Sequence, residues 1–361
     1  MNAFDFLISL GDNILLNNDK YYKEGINGPW NQKETLARVY SHYSTLFSRL
    51  YVFTNNNKYL NESEKLLEIV IDDFAPMDAA VWHRKGPDCD LSNGLMGQAW
   101  TLEAFYTHYR ATNNNKYLSF CESLINKHKF DSKQGLWNIL NVDGSHTSVD
   151  FTFNHQLWFY TMVKLFSKII KIDEKSISDF ETNLNNSNIF HISKSGPIRH
   201  PSFGQGLLIP LYRRFKYLKA SISGKTYKLK EAGYHLFNLI AFSKLEKEKL
   251  IPERTRLKLL KNINTYLKSN KFDQLIYESP YSFYYNPPGF ELSTVLNEFN
   301  ISDNNLNSLK EKLIRKQFSY FDFKSMIYSV EDSSFDNATN TSRIYELAMI
   351  SSENLKNLKI Q

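Results

Sequence analysis

The sequence predicts an all-α toroid of six helical hairpins. Three observations carry this: a repeated heptapeptide that joins paired amphipathic segments, the return of that pairing along the chain, and an unpartnered helical segment at each end. Thr54-Asn-Asn-Asn-Lys-Tyr-Leu60 recurs 58 residues later as Thr112-Asn-Asn-Asn-Lys-Tyr-Leu118. Repeat units of this size cannot bury their apolar faces alone and must stack on neighbours.

The chain opens with MNAFDFLISLGDNILLNND, which has no basic leader and an early Asp5. It reads as an amphipathic helix and not as a signal peptide. TLARVYSHYSTLFSRLYVF and NESEKLLEIVIDDF flank the first heptapeptide; GLMGQAWTLEAFYTHYRA and SFCESLINKHKF flank the second. Apolar residues recur at three-to-four spacing in all four segments, which predicts helices. The Asn run between them breaks the helix, because Asn favours turns and tolerates left-handed backbone.

FNHQLWFYTMVKLFSKIIK and SISDFETNL form a third pair, and YHLFNLIAFSKLEK and RTRLKLLKNINTYLK a fourth, turned at Ile251-Pro252. ELSTVLNEF and NLNSLKEKLIRKQF form a fifth. TSRIYELAMISS is left for the N-terminal helix, and pairing these two closes the ring. First helices then begin near residues 34, 92, 152, 234, 290 and 341. The widest gap marks an insertion, roughly 184–233, that holds HPSFGQG and the basic stretch Tyr212-Arg-Arg-Phe-Lys. PYSFYYNPPG predicts short strands or ordered loops between hairpins. No linker or low-complexity tract interrupts the chain, so one domain over residues 1–361 is expected.

Composition narrows the function. Hydrophobic residues make up 42% and charged residues 23%, a globular balance. The net charge of +6 is spread along helical faces without a basic arm, so no nucleic acid is implied. No apolar run reaches the roughly 18 residues of a membrane span. Cys89 and Cys121 exclude a disulfide framework and point to a reduced, cytoplasmic protein. No HxxxH or HExxH spacing appears, so neither metal nor other cofactor is called for. Asp72-Asp73 lacks the distal Asp of a DDxxD diphosphate motif, and two cysteines are too few for lanthionine-type zinc cyclisation.

In a ring of hairpins the inner helices run parallel, so the loops before them meet at one end. Those loops and first turns hold polar residues that an apolar core does not explain. They include Trp30, Asn31, Glu34 and Arg38 on the first hairpin, and His83, Arg84, Asp88, Asp90, Asn93 and Gln98 on the second. The third has Asp150, Asn154, His155 and Trp158; His200 lies in the insertion; Tyr234, His235 and Asn238 open the fourth. Tyr284, Tyr285, Asn286 and Glu291 lead the fifth, and Asn340, Arg343 and Glu346 the sixth.

Taken singly, Asp90, Asp150, Asn31 and Asn340 suit helix caps, and Arg343 with Glu346 suits a structural ion pair. Taken together they describe a cavity with converging polar groups and aromatic walls, the usual form of a small-molecule site. Two carboxylates on neighbouring hairpins fit glycosyl chemistry, and Trp and Tyr fit the C–H faces of sugar rings. His83, His155, His200 and His235 fit the proton transfers of epimerisation or isomerisation equally well.

NGPWNQKET, DLSNGLMGQAWTLEAF, DFTFNHQLWF, GYHLFN, YNPPGFEL and NTSRIYEL resemble proteins of the archaeal N-glycan assembly (Agl) cluster and their bacterial relatives. Those are similar in turn to unsaturated glucuronyl hydrolases, which implies an (α/α)6 barrel. The resemblance spans nearly the whole chain, and DLSNGLMGQAW and DFTFNHQLWF carry most of it. It implies that Asp150 is the general acid/base that hydrates a vinyl ether double bond, with Asp90 positioning the sugar. His155 beside Asn154, and HPSFGQG, depart from the hydrolase pattern.

The expected function is therefore a carbohydrate-active enzyme acting on a uronic-acid or related sugar of a surface glycan, by hydrolysis or hydration. A uronate epimerase or isomerase using His and Tyr is the alternative, and a non-catalytic glycan-binding assembly factor a third. Asp90, Asp150 and His155 are the catalytic candidates. Trp30, His83, Asp88, Asn93, Gln98, Asn154, Trp158, His200, His235, Tyr285, Glu291 and Arg343 are the candidates for sugar contacts. The partner is a sugar or oligosaccharide, lipid-linked or nucleotide-linked.

Overall fold

The computed structural model describes residues 1–76, 79–87, 89–185, 192–202, 224–333 and 335–360. Its helices form two concentric rings, an (α/α)6 barrel. Five inner helices are Ala37–Thr54, Gly94–Thr112, Phe153–Phe166, His235–Lys247 and Pro288–Glu298. The sixth inner segment is a short α-helix, Asn337–Ser342, that runs on as the 3-10 helix Arg343–Met349. Each inner element packs on the next, and the sixth packs back on the first. His42 Nδ1 lies 3.1 Å from Ser342 Oγ across that closing contact.

The outer ring contains Asn57–Phe74, Leu118–Lys127, Glu174–Asn185, Glu253–Thr265 and Asn304–Phe318. The N-terminal helix, Ala3–Leu16, takes the sixth outer place. It packs on the first inner helix and on the C-terminal helix Ser352–Asn357, and shares an apolar cluster with Ile344, Tyr345 and Leu347. Asn2 and Lys359 form an antiparallel bridge, which fastens the two chain ends together.

The repeated heptapeptide makes the same turn twice. Asn55 (φ 54°) and Asn113 (φ 55°) end their helices in left-handed conformation. Asn56 and Asn114 then cap the following helices, each side chain accepting from a lysine N–H two residues on. Asn suits both positions because its short amide tolerates positive φ and caps orphan N–H groups.

Inner and outer helices differ in how they carry polar residues. The first outer helix buries one stripe, Tyr59, Ser63, Leu66, Leu67 and Val70, as an amphipathic helix should. Inner helices are buried nearly all round, and their hydroxyls bond back to carbonyls one turn earlier. Ser41 donates to Ala37 O at 2.7 Å, Thr161 to Leu157 O at 2.8 Å and Ser293 to Gly289 O at 2.7 Å. Small polar residues thus enter a dry core without leaving a donor unpaired.

Four features differ from the expectation. A three-stranded antiparallel meander, β1 (Phe130–Asp131), β2 (Leu136–Leu140) and β3 (His146–Val149), links the second and third hairpins. Gly135 and Gly144, both at positive φ, turn it, and its strands are too short for alternation to show. A second small hairpin pairs β4 (Phe321–Asp322) with β5 (Ile327–Tyr328). Helices Lys225–Gly233 and Asn270–Glu278 are additional, while residues 281–286 form turns, the ordered-loop alternative expected there. The last inner segment starts earlier and winds tighter, where Asn340, Thr341 and Ser342 side chains compete for backbone carbonyls. Of the insertion, residues 203–206 of HPSFGQG and residues 212–216 lie outside the described residues.

Candidate functional site

At the end where the inner helices begin lies a cavity of about 280 Å³. Its walls come from all six hairpins, through residues such as Trp30, Asn93, His155, Tyr234, Tyr285 and Arg343. A larger groove of about 970 Å³ runs between the fifth outer helix and the C-terminal segment and shares no lining residue with this cavity. The smaller cavity is the candidate site, because polar groups from separate hairpins converge there.

The central pair is Asp150 and His155. Asp150 Oδ2 receives His155 Nδ1 at 2.8 Å and the N–H of Leu95 at 3.3 Å, while Oδ1 receives the N–H of Thr152 at 3.0 Å. Burial opposes the charge on Asp150, but His155 and these N–H groups outweigh it and hold the carboxyl below its usual range. An ionised carboxylate only accepts, so Nδ1 of His155 is the donor and Nε2 is left for other work. His155 lines the cavity and Asp150 stands behind it.

Gly94 makes this arrangement fit. It adopts φ +53°, and a Cβ there would lie 2.5 Å from Asp150 Oδ2 and 3.1 Å from His155 Nδ1. Asp90 holds the same turn from the other side. Its Oδ1 accepts from Ser92 N at 3.0 Å and Ser92 Oγ at 2.7 Å, and its Oδ2 accepts from Gly94 N. Asp90 is thus committed to backbone and does not line the cavity.

Gln98 is likewise structural. It accepts from Val81 N at 2.8 Å and donates to Val81 O and Ser92 O at 3.1 and 2.9 Å. Gln156 repeats the clasp one hairpin on, with Trp137 N and O and Asp150 O at 3.1, 2.8 and 2.7 Å. The two glutamines are 58 residues apart, the spacing of the heptapeptide. That periodicity is the signal that marks both as architecture.

Several predicted contacts do reach the cavity. Asn93 (φ 56°) is buried there, and neither amide atom has a partner among the described residues. Asn154 Oδ1 and His200 Nδ1 are also buried and unpartnered. Burial, helped by the charges of Lys230 and His155, pushes His200 well below the usual histidine range, so it stays neutral. Tyr285 donates to Asn27 Oδ1 at 2.8 Å. Trp30 stands at the mouth, 42% exposed, its Nε1 3.4 Å from Tyr234 Oη.

Arg343 forms part of the wall but is saturated. It binds Glu346 and Glu291 Oε1 at 2.7 and 3.0 Å and Tyr285 O at 2.9 Å. Glu291 lies behind it, and burial together with Glu346 raises its carboxyl well above the usual range. His83, His235 and Trp158 are off the cavity. His83 Nε2 lies 3.0 Å from Thr101 Oγ1, His235 Nδ1 accepts from Ile198 N at 3.1 Å, and Trp158 stacks on Phe237 and donates to Phe237 O at 3.2 Å. Asp88 lies outside the described residues.

Sequence reasoning missed Trp100, Asn27, Gln32, Phe237 and Lys230 as walls. Trp100 sits in mid-helix among apolar residues, where a core role is the default reading. Its ring carries the Arg38 guanidinium at 3.8 Å. Among the described residues no cluster of three or more His, Cys, Asp or Glu is spaced for a metal ion, and no helix is long and apolar enough to cross a membrane.

No protein-family model matches the chain. Against archaeal glycosylation protein Q of Haloferax volcanii it is 28% identical over 342 residues, covering 89% of this chain and 90% of that protein. The chain is similar to archaeal glycosylation protein Q. A match over most of both chains bears out the resemblance to the Agl proteins.

Solved structures share the architecture. D-mannose isomerase superposes with a TM-score of 0.63 at 11% identity, covering 96% of each chain. The cellobiose 2-epimerase of Spirochaeta thermophila gives 0.58 at 11%, covering 87% of this chain and 84% of that one. An unsaturated glucuronyl hydrolase specific for heparin gives 0.57 at 12%, covering 99% of each. At such identities these likenesses establish the (α/α)6 fold, and function has to be argued from the site.

Proposed function

We propose that this protein is a sugar epimerase or isomerase of glycan assembly, which moves a proton at a carbon next to a sugar carbonyl. One observation carries the reading: His155, oriented by ionised Asp150 at 2.8 Å, lines the cavity in place of the aspartate. Hydrolysis of a glycoside uses two carboxyl groups that flank the bond. Here the described cavity walls hold no Asp or Glu, and Asp90 is spent on backbone N–H groups.

Two histidines on one cavity can take and return a proton. His155 exchanges it at Nε2, since Nδ1 faces Asp150. His200 lines the same cavity with its buried Nδ1 unpartnered, so that nitrogen is free for the second proton position. The inner helices begin at this end, so their partial positive charges favour an oxyanion that forms in the cavity. The volume suits one sugar ring, with the rest of a linked substrate leaving past Trp30. The likeness to archaeal glycosylation protein Q supports glycan assembly as the setting.

Incubation with hexoses, hexuronates and their linked forms in deuterated water tests the reading. The expected result is deuterium on a ring carbon without chain cleavage, abolished by His155→Gln. Release of a sugar with no such label would overturn it.

A further inference from the structure

Lys230 projects from the helix Lys225–Gly233 into the cavity that holds His155 and His200. Among the described residues three cationic side chains, Arg84, Lys230 and Arg343, stand on that wall, and they are not equivalent. Arg343 is neutralised by Glu291 and Glu346. Arg84 lies within the field of Glu34, whose titration it shifts. Lys230 has no carboxylate within ion-pairing distance among the described residues, and residues 203–223 contain no Asp or Glu in their sequence.

Its neighbours are aromatic instead. The ammonium lies 4.4 Å from the Trp30 ring centre and 5.9 Å from that of Tyr281. Burial lowers its titration to about 8 without help from any other charge. Aromatic faces hold a cation by their quadrupole and contribute no full negative charge. A carboxylate in their place would cancel the ammonium and repel an incoming anion. The site therefore keeps one positive charge fixed, desolvated and unspent beside two histidines.

Resting on the proton-transfer reading, we propose that Lys230 is a catalytic residue that binds the carbonyl oxygen and stabilises the oxyanion formed on it. In the step, the C–H bond beside the carbonyl breaks and its proton goes to a histidine nitrogen. The bonding pair becomes the new C=C bond while the carbonyl π pair moves onto oxygen, giving an enediolate. Return of the proton to the other face of the same carbon completes an epimerisation. Return to the adjacent carbon, with the hydroxyl proton passed from one enediolate oxygen to the other, completes an isomerisation, and neither needs an oxidant or reductant. A preorganised charge placed where negative charge develops is worth most in such a water-poor site.

Binding of an enediolate mimic tests this without requiring turnover, so its failure is distinct from failure of the deuterium experiment. The probes are a hexonohydroxamate, which is planar and acidic, the matching neutral hexitol, and a hexuronate, titrated calorimetrically into the full chain. The hydroxamate should bind at least about tenfold more tightly than the hexitol. Lys230→Met should remove that preference by weakening hydroxamate binding far more than hexitol binding, while Lys230→Arg should keep part of it. Equal affinity of the unaltered protein for hydroxamate and hexitol would overturn the proposal. So would a preference that survives in Lys230→Met, or a Lys230-dependent grip on hexuronate alone, which would be ground-state recognition.

Discussion

Asp150 Oδ2 lies 2.8 Å from His155 Nδ1, so the aspartate meets the cavity only through the imidazole. The order of effects in the two variants follows from this. His155→Gln should lower kcat by about 10²–10⁴-fold, the usual worth of a positioned acid/base. Asp150→Asn should cost less, with KM nearly unchanged, because it misorients the base without removing it. Steady-state kinetics on both variants decides the point. A larger loss in Asp150→Asn than in His155→Gln would return the acid/base role to the aspartate.

Asn93, the N-cap of the second inner helix, and Gln98, five residues on, should respond in opposite ways. The Asn93 amide has no partner among the described residues and its φ is 56°, so Asn93→Gly, which keeps the left-handed backbone, should leave stability within about 1 kcal/mol and raise KM roughly tenfold. Gln98 satisfies three backbone groups that tie the 81–92 loop to the barrel. Gln98→Leu strands them and should cost about 2–4 kcal/mol. Urea unfolding of the two variants measures the contrast; similar losses of stability would refute it.

Gly94→Ala should damage both stability and activity. The position has φ +53°, and the added methyl would press on Asp150 Oδ2 at 2.5 Å. Backbone strain of this kind costs of order 1–3 kcal/mol, and any relief must move Asp150 away from His155. Thermal melting with activity measured on the surviving folded fraction gives the test. Normal activity per folded molecule would show that the contact is not needed.

Acid sensitivity should come from buried histidines. Burial lowers His83 and His235 to about 3, and His108 and His128 to about 4. Below the unfolded value of about 6.5 the unfolded chain binds protons that the folded chain refuses. Stability therefore falls as pH drops through 6.5 and keeps falling toward those folded values. Asp150 acts lower: its contribution is present above about 3.9 and is lost as pH falls further. At pH 5 the loss should approach about 2 kcal/mol for each buried histidine. Equal urea midpoints at pH 7 and pH 5 would contradict this.

The sequence by itself determined the hairpins and their order. Period, turn chemistry and the 58-residue repeat are local properties, and Asn55–Asn56 and Asn113–Asn114 state them within two residues. It also brought Trp30, Asn93, Asn154, His155, His200, Tyr285 and Arg343 to one cavity, because parallel inner helices must start at the same end. Tertiary structure decided what each side chain does there. Asp90 and Asp150 look alike in sequence, yet one closes a turn and the other orients an imidazole, since only Asp150 has His155 against its second oxygen. Lys230 was invisible for the same reason. A lysine in a helix reads as solvated surface until Trp30, 200 residues earlier in the chain, is folded against it. Burial and charge compensation are sums over neighbours distant in sequence, and only the closed ring supplies those neighbours.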